Sequence, residues 1–499
     1  MINPLNFTIE TEVSPDYHTA ILDFIYKYYL FPQPDRFSSI KNSHSKGLSF
    51  VLDSSLSDDK TSNGISGNFN DSKSQGDNQK TNNSSKAYFV YGKIESGAEI
   101  HVTLTPEGNV PKTVLDQLAE DIFVAVQIYE ENIRQSTIYF AWSEGQEIIP
   151  EKTPSIRKKA SKSLFGSSML LFFILFFGIN IILFILIGFY AVIFILLIQL
   201  LIVLLSDKIY MRMGEWKITP VNPNIHIIQY QMPDNESKFF KENLGENALM
   251  KVKKEIYDAS LAIGESPTCE ISEKVLSKYG FHCSSSRQRS RVINVYNIVK
   301  EASDKFGIDV PKIIVSNNML PNAAATGPSP SRGLVLITTG LLVQLDEEEI
   351  LSVIGHEMGH LVGRDPIILL SIVSGEFILR LTILLPLVLI SPIIYILVAM
   401  GLIFFVAKFF EARADLLSAK VIGKPEILAE ALRKIGYSRL QFERMPSYRI
   451  SSWIMWDPHP PIYFRIRRLE NLKNADKIKN PLIKSAKDVF KGFRDSFKG

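Results

Sequence analysis

Two long apolar stretches divide the chain into membrane-type and water-soluble segments. The first runs from Leu164 to Leu205 and contains 42 residues without a charged side chain. As one helix it would measure about 63 Å, roughly twice the 30 Å thickness of a bilayer's hydrocarbon core. This stretch therefore predicts a hairpin of two transmembrane helices over residues 164–206, with its turn near Gly188.

The second apolar stretch predicts another hairpin, over residues 366–407. Pro386 and Pro392 interrupt the stretch at positions that suit a turn between two helices. Glu376 and Arg380 lie four residues apart inside its first helix, so their side chains share one helix face. Because charges are costly inside a membrane, this spacing predicts a structural ion pair rather than a role in chemistry.

Basic residues flank both hairpins and are absent from their short turns. By the positive-inside rule, this pattern places both termini and all polar domains in the cytosol. We therefore expect a multi-pass protein of the cell membrane that has the lipid bilayer as a partner. The flanking basic residues are Arg157, Lys158, Lys159, Lys162, Lys208, Arg212, Arg364, Lys408 and Arg413.

The polar segments predict three further regions. Residues 1–150 combine alternating strand patterns with a helix over 111–134, typical of a separate α+β domain, and residues 53–86 predict a disordered loop within it. Residues 207–365 and 408–475 predict one further domain interrupted by the second hairpin. In it, Asp346 and Glu349 form a capping-box pattern that starts a helix. Residues 476–499 are interpreted as a basic C-terminal tail.

Net charge and cysteine content exclude some classes of protein. The formal net charge is only +3, so nothing in the composition indicates binding to nucleic acid. The two cysteines, Cys269 and Cys283, are too few for a disulfide framework. Their spacing does not match a thiolate metal site either, so we interpret them as ordinary reduced thiols of a cytosol-facing domain.

A candidate metal site lies in the helix that Asp346 starts. His356 and His360 are spaced i and i+4, so both imidazoles leave one helix face and can bind the same ion. Glu357 lies about 100° around the helix, where it can act as general base on a water activated by zinc. A chance pair of histidines is the alternative, but an apolar helix makes unliganded histidines costly.

A third ligand is expected after the second hairpin. Two membrane crossings return the chain to the face that it left, so Glu411 can meet the two histidines. Two histidines and one glutamate with an open position suit one Zn²⁺ per chain. Asp415, one turn beyond Glu411, is placed either to orient a liganding imidazole or to be a surface acid.

These motifs together resemble those of the HtpX-like membrane zinc metalloproteases, which are related to the CAAX prenyl protease. The resemblance covers roughly residues 207–471 and the preceding hairpin. It rests on His-Glu-Met-Gly-His at 356–360, Glu-Ala-Arg-Ala-Asp at 411–415 and Leu-Ile-Thr-Thr-Gly-Leu-Leu at 336–342. It also rests on Asn-Ala-Ala-Ala-Thr-Gly at 322–327 and His-Pro-Pro-Ile-Tyr-Phe-Arg-Ile at 459–466.

The resemblance implies a fold and a role for each matching residue. The implied fold is a mostly helical, gluzincin-like α+β metalloprotease with two transmembrane hairpins and an additional N-terminal α+β domain. His356, His360 and Glu411 would hold zinc, and His459 and Arg465 would line the cleft and stabilise the substrate carbonyl. The edge strand with Asn322, Ala323 and Ala324 would pair with an extended substrate. From the residues alone, His459 could equally be a turn residue and Arg465 a salt-bridge partner.

The predicted function is hydrolysis of peptide bonds in membrane or membrane-associated proteins on the cytosolic side. The resemblance implies protein quality control as the setting, with proteins or peptides as substrates. A prenyl-protein protease of the CAAX type is one alternative, which the four predicted crossings disfavour. An inactive zinc-binding membrane scaffold is another, and Glu357 argues against it because zinc binding does not require that residue. The sequence predicts no oligomeric state.

Overall fold

The structure is a computed structural model that describes residues 3–11, 13, 17–43, 47–55, 88–97, 99–145, 178–180, 182–212, 214–233, 236–238, 240, 246–282, 287–443 and 446–497. The chain forms two compact units, Met1–Thr137 and Ile138–Gly499. Three predicted features lie largely or wholly outside the described residues. They are the loop at 53–86, the first half of the hairpin at 164–206, and the basic residues at 157–162.

The first unit is a five-stranded antiparallel sheet packed against two helices. Its strand order is β1-β5-β4-β3-β2, and alternate side chains of the strands join the helices in one apolar core. The predicted helix over 111–134 is confirmed as α2. The elements are β1 Leu5–Ile9, α1 His18–Ile25, β2 Phe37–Ser43, β3 Gly47–Asp53, β4 Phe89–Ser96, β5 Ile100–Glu107 and α2 Lys112–Arg134.

The sixth strand, β6 (Thr137–Ser143), joins a different sheet. It lies beside β8 (Asn224–Gln231), which pairs in turn with β9 (Gln288–Asn294). Trp142 of β6 is buried in a core that α5 (Glu246–Asp258) and α6 (Cys269–Ser277) complete. The first compact unit therefore ends at the first residue of this strand, Thr137, whereas the sequence predicts a domain that extends to residue 150.

The second unit also contains a mixed four-stranded sheet of order β11-β12-β10-β7. The central strands β10 and β12 are parallel, and all their apolar residues are buried, as expected for interior strands. β11 pairs antiparallel with β12 and forms one edge of this sheet. These strands are β7 Trp216–Ile218, β10 Lys312–Ser316, β11 Ala323–Thr326 and β12 Leu334–Thr338.

Helices make up most of the second unit. The predicted capping box is confirmed, because Asp346 accepts a hydrogen bond from the Glu349 N–H and Glu349 from the Asp346 N–H. The other helices are α3 Ala191–Leu204, α4 Ser206–Met211, α7 Val295–Phe306, α8 Thr339–Gln344, α9 Glu347–Gly363, α10 Asp365–Leu381, α11 Leu385–Ile390, α12 Pro392–Val421, α13 Pro425–Glu443, α14 Pro446–Ile454, α15 Ile462–Glu470 and α16 Pro481–Asp495. The last of these lies in the segment interpreted as a tail, and its Val489 is fully buried.

Two helices among the described residues are long and apolar enough to cross a membrane, Gly178–Leu204 and Pro392–Val421. The first is broken near Gly188, which has a left-handed φ of 60°, at the predicted turn. Side chains on both sides of the break, among them Phe184 and Ile195, form one apolar cluster with Phe377 of α10. Length and composition alone do not establish a crossing, so the two hairpins stay predictions.

The second apolar stretch folds into α10, the short α11 and the 30-residue α12. The breaks fall at Thr382 and Ser391, close to the prolines that predict a turn, and both α10 and α11 pack against α12. The predicted ion pair is also present, with Arg380 Nε 3.5 Å from Glu376 Oε1. α12 continues well past residue 407, and its last turns carry the candidate site.

Candidate metalloprotease site

The helix α9 carries both candidate histidines and the candidate general base Glu357. The Nε2 atoms of His356 and His360 lie 3.2 Å apart, as their i, i+4 spacing predicts. His356 and Glu357 are buried, with 7% and 8% of their surfaces exposed. A histidine pair and a carboxylate in such a position need compensating polar partners, and α12 supplies them.

Close packing of α9 against α12 brings Glu411 to the histidines. A Cβ atom added to Gly359 would lie only 3.1 Å from the Cα of Ala414, and one added to Gly355 would lie 2.3 Å from the Ile422 side chain. Glycine at these two positions therefore permits a helix separation that alanine would prevent. This contact explains why a helix of poor intrinsic propensity retains both glycines.

Three possible ligand atoms converge between the two helices. Glu411 Oε2 lies 3.5 Å from His356 Nε2, and Glu411 Oε1 lies 3.4 Å from His360 Nε2. Ligands at typical zinc distances around a tetrahedron are about 3.3 Å apart. The predicted trio thus has the spacing that a zinc site requires, and it is the group of metal-ligating side chains found among the described residues.

The chemistry of the donors also fits a cation. The Nδ1 atoms of His356 and His360 face carboxylates, so the Nε2 atoms of the two rings point toward each other. In neutral rings with a proton on Nδ1, the lone pairs of the two Nε2 atoms repel each other unless a positive charge lies between them. Glu411 Oε2 is buried and has no hydrogen-bond partner, although it points to the same place. The residues present therefore fit a zinc ion held by His356, His360 and Glu411.

Each histidine is oriented by a carboxylate that an arginine holds. Asp415 Oδ1 lies 2.9 Å from His356 Nδ1, and the Nε and Nη2 atoms of Arg465 donate to its two oxygens at 2.9 and 2.6 Å. On the other side, His360 Nδ1 hydrogen-bonds to Asp365 Oδ2 at 2.7 Å. Asp365 in turn pairs with Arg413, so neither carboxylate is left with an uncompensated charge.

These carboxylates make the site favour positive charge. Burial alone would lower the pKa of His356, but the carboxylates of Asp415 and Glu411 outweigh it and raise that pKa to about 10. A proton or a metal ion can supply the positive charge that the buried carboxylates stabilise. Metal binding requires the neutral imidazole, so the two compete for the same atoms.

The general-base candidate contacts the edge strand. Glu357 Oε2 accepts a hydrogen bond from the backbone N–H of Ala325 in β11, at 2.7 Å. The Thr338 N–H donates to the Asn322 carbonyl at 3.0 Å, so Asn322 and Ala324 direct their backbone groups toward β12. Backbone groups of successive residues in an antiparallel pair alternate in direction, so those of Ala323 and Ala325 point to the open edge of the sheet, beside Glu357.

His459 and Arg465 lie on the same side of the site but differ in exposure. His459 Nε2 is 3.6 Å from Glu411 Oε2, and its side chain is 44% exposed. Its Nδ1 lies 2.9 Å from Asp457 Oδ1, which also accepts from the His459 N–H at 2.8 Å. Arg465 is buried against Asp415, so its position suits the salt-bridge partner better than a group that touches substrate.

Comparison with known proteins gives matches to the part of the chain that carries this site. Residues 290–473 match Peptidase family M48. A protease HtpX homolog of Caldanaerobacter subterraneus subsp. tengcongensis is 33% identical over 219 residues, which cover 36% of this chain and 71% of the relative. The chain belongs to the HtpX-like M48 peptidase family. The predicted resemblance is therefore confirmed, and so is the prediction of a metalloprotease.

Two further relatives support the M48 assignment. A protease HtpX homolog of Thermodesulfovibrio yellowstonii is 30% identical over 230 residues, covering 39% of this chain and 80% of the relative. Protease HtpX of Legionella pneumophila strain Corby is 46% identical over 74 residues, covering 15% of this chain and 26% of the relative. No solved structure matches the chain.

The M48 match contains every predicted site residue. It also contains Asp365, which orients His360 and which the sequence analysis missed. Asp365 follows His360 by five residues, and Arg364 between them has a left-handed φ of 51° that ends α9 and turns the chain back. Asp365 then begins α10, with Pro366 in its first turn. The Asp-Pro pair directly after the histidine helix was the available signal, because it predicts a new helix start.

Proposed function

We propose that this chain is a membrane-embedded, zinc-dependent endopeptidase that cleaves membrane or membrane-associated proteins on the cytosolic side, in protein quality control. The convergence of His356, His360 and Glu411 beside Glu357 is the observation that carries the proposal. A zinc ion held there would polarise a peptide carbonyl and make water more acidic.

The chain's own groups supply the remaining requirements for peptide hydrolysis. An extended substrate can pair with the open edge of β11 at Ala323 and Ala325, which places its backbone beside Glu357. The Glu357 carboxylate can then take a proton from the attacking water and deliver it to the leaving amine. His459, held through Nδ1 by Asp457, directs Nε2 toward the site, where a protonated nitrogen would stabilise the developing oxyanion.

The position of the site along α12 supports a membrane setting. Residues 392–407 of this helix carry no charge, and Glu411 follows Ala407 by four residues. The metal-ligating carboxylate is thus only about 6 Å along the helix axis from the end of the uncharged segment. Lys408 and Arg413 follow that segment, and their positive charge favours the cytosolic side.

Hydrolysis of unfolded casein by the purified full chain in detergent tests the proposal. Cleavage is expected with zinc, and it should disappear with a chelator and in Glu357→Gln. Glu347→Gln removes an exposed acid from the first turn of the same helix and should cleave like the wild type. Full activity of Glu357→Gln, or a wild type that binds zinc without cleaving, would contradict the endopeptidase proposal.

A separate measurement tests the membrane location. Membranes from cells expressing the chain are washed with alkaline carbonate, which removes peripheral proteins and leaves spanning ones. The full chain should remain in the pellet. Its release into the supernatant would refute a spanning α12 while leaving the chemistry of the site untouched.

A further inference from the structure

The C-terminal helix α16 runs back along α12 toward the proposed membrane. Just before α16 begins, the Ile478 carbonyl accepts a hydrogen bond from Lys420 Nζ at 3.0 Å. Further along α16, the ring of Phe490 lies 5.3 Å from that of Phe405 and 5.4 Å from that of Phe409. The two helices are therefore antiparallel, and α16 advances from Lys420 to Phe405, about 22 Å along α12.

An exposed apolar row follows α16 along its length and passes beside Phe405 at Phe490. Ile483, Phe490 and Phe497, spaced seven residues apart and here named the C-terminal apolar face, are 52%, 57% and 57% exposed. Val489, about 100° around the helix from Phe490, is buried against α12, and Phe490 itself touches that helix at the edge of its ring. Water-exposed phenylalanines beside an already packed face indicate that the surface has another partner.

Positive charge lies directly beside this face. Lys487 and Arg494 are exposed and follow Ile483 and Phe490 by four residues, so they form the adjacent row on the helix. The acid Asp488 lies on the far side, where it pairs with Arg468 at 2.9 Å. Asp495 lies 3.6 Å from Arg494 Nε in an exposed pair, which solvent screens, so the row keeps a net positive charge. Exposed aromatic side chains next to lysine and arginine are typical of protein segments at an anionic membrane surface.

A second exposed apolar segment lies at the same level of α12. Ile454 ends α14 and Met455 and Trp456 follow it; the three are 58%, 49% and 40% exposed. Lys408 Nζ donates to the Met455 carbonyl at 3.4 Å, which fixes the segment beside the first charged residue after the uncharged part of α12. Tryptophan is enriched at the boundary between hydrocarbon and water, which is the depth expected for Lys408.

We propose that the C-terminal apolar face, with Lys487 and Arg494, binds the anionic headgroup layer of the membrane from which α12 emerges. The bilayer is the occupant because the face lies at the end of the uncharged segment of α12 and is bordered by positive charge. This docking would hold the metal site close to the bilayer and to membrane-bound substrates. The inference rests on the proposed crossing of α12.

Spin labels on the full chain in lipid nanodiscs test the inference. Cys269→Ser/Cys283→Ser provides the background for one label each at Phe490→Cys, Leu397→Cys and Lys479→Cys. Leu397 is exposed in the uncharged segment of α12, and Lys479 adjoins Ile478, which lies beside Lys420. For each spin label, the rate of collision with oxygen is divided by the rate of collision with a water-soluble nickel chelate. This ratio should be highest for the label at 397, intermediate at 490 and lowest at 479.

Outcomes at the three positions separate this inference from the proposed function. An aqueous label at 490 together with a lipid-exposed label at 397 overturns the docking alone. An aqueous label at 397 overturns the crossing of α12 and the docking with it. Dipolar broadening between labels at 490 would show that a second copy of the chain, rather than lipid, covers the face.

Charge reversal tests the role of the basic row. The wild type should melt at a higher temperature in nanodiscs that contain anionic phosphatidylglycerol than in phosphatidylcholine alone, because lipid that binds the folded state stabilises it. Lys487→Glu/Arg494→Glu should lose this difference. The matched control Lys477→Glu/Lys479→Glu changes charge equally but far from Phe405, and should keep it. Equal behaviour of the two double variants would overturn the role of Lys487 and Arg494.

Discussion

Substitution of Gly359 by alanine tests whether helix packing sets the geometry of the metal site. The new Cβ would lie 3.1 Å from Ala414 Cα, 3.3 Å from its Cβ and 3.3 Å from its carbonyl oxygen. Two of these three atoms belong to the backbone, so a side-chain rotation cannot relieve the contact. We expect α9 and α12 to separate by a few tenths of an ångström.

The size of the effect follows from two opposing contributions. Overpacking at a helix contact costs about 1 to 3 kcal/mol. Alanine has a helix propensity about 1 kcal/mol better than glycine, which offsets part of that cost. Because Glu411 lies on α12 only three residues before Ala414, the separation moves one ligand away from the other two. We expect the net cost, up to about 2 kcal/mol, to weaken zinc binding by up to roughly thirtyfold.

Competition for zinc with a chromophoric chelator measures this affinity on the full chain in detergent. The control is Gly375→Ala in α10, because a Cβ added at Gly375 meets nothing within 4 Å. Its zinc affinity should equal that of the wild type. Wild-type affinity in Gly359→Ala would refute the reasoning, because it would show that the ligands keep their spacing when the helices are pushed apart.

Three other substitutions probe the groups around the ligands. Asp365→Ala should weaken zinc binding roughly 10- to 100-fold in the same competition assay, because His360 loses the acceptor that orients its ring. Asp457→Ala should lower kcat roughly 10- to 100-fold at unchanged zinc content and nearly unchanged KM, because His459 loses its fixed orientation. Burial raises the pKa of Glu443 from 4.5 to about 7, so the folded state binds the proton more tightly than the unfolded state does. Raising the pH through that window therefore destabilises the wild type relative to Glu443→Gln by up to about 3 kcal/mol, measured by denaturant unfolding at pH 5 and pH 8. Wild-type zinc affinity in Asp365→Ala would contradict the first argument, and wild-type kcat in Asp457→Ala the second. A stability difference between the wild type and Glu443→Gln that is the same at pH 5 and pH 8 would contradict the third.

The parts of the site that sequence predicts best are those set by local periodicity. The i, i+4 spacing fixes the histidines on one face, and the capping box at Asp346 fixes where the helix begins. Glu411 required a topological argument, since it is 51 residues from His360 along the chain. That argument works because a helical hairpin returns the chain to its starting face, and the structure places Glu411 beside both histidines.

Partners that depend on distant side chains could not be read from the sequence in the same way. The pattern of β6 predicts a strand but not its neighbours, and the structure pairs it with β8, some 80 residues later, rather than with the N-terminal sheet. The role of Arg465 was open for the same reason, because a guanidinium fits a substrate carbonyl and a carboxylate equally well. Only the position of Asp415 decides between them, and no periodicity encodes that distance.

Charge balance connects the Glu-Ala-Arg-Ala-Asp segment of α12 to the identity of the ion. Its three charged residues have separate roles: one is a ligand, one compensates the carboxylate behind His360, and one orients His356. The fully buried Lys408 donates to the Met455 and Asp457 carbonyls rather than to a carboxylate of the site. The buried charged groups that would bind zinc, act as general base or orient the liganding histidines, together with the arginines that pair with them, are the carboxylates Glu357, Asp365, Glu411 and Asp415 and the guanidinium groups Arg413 and Arg465. With neutral imidazoles they leave two negative charges, and a buried net charge is strongly unfavourable. A divalent ion cancels that charge and a monovalent one does not, so the two arginines permit four buried carboxylates while tuning the site to a divalent metal.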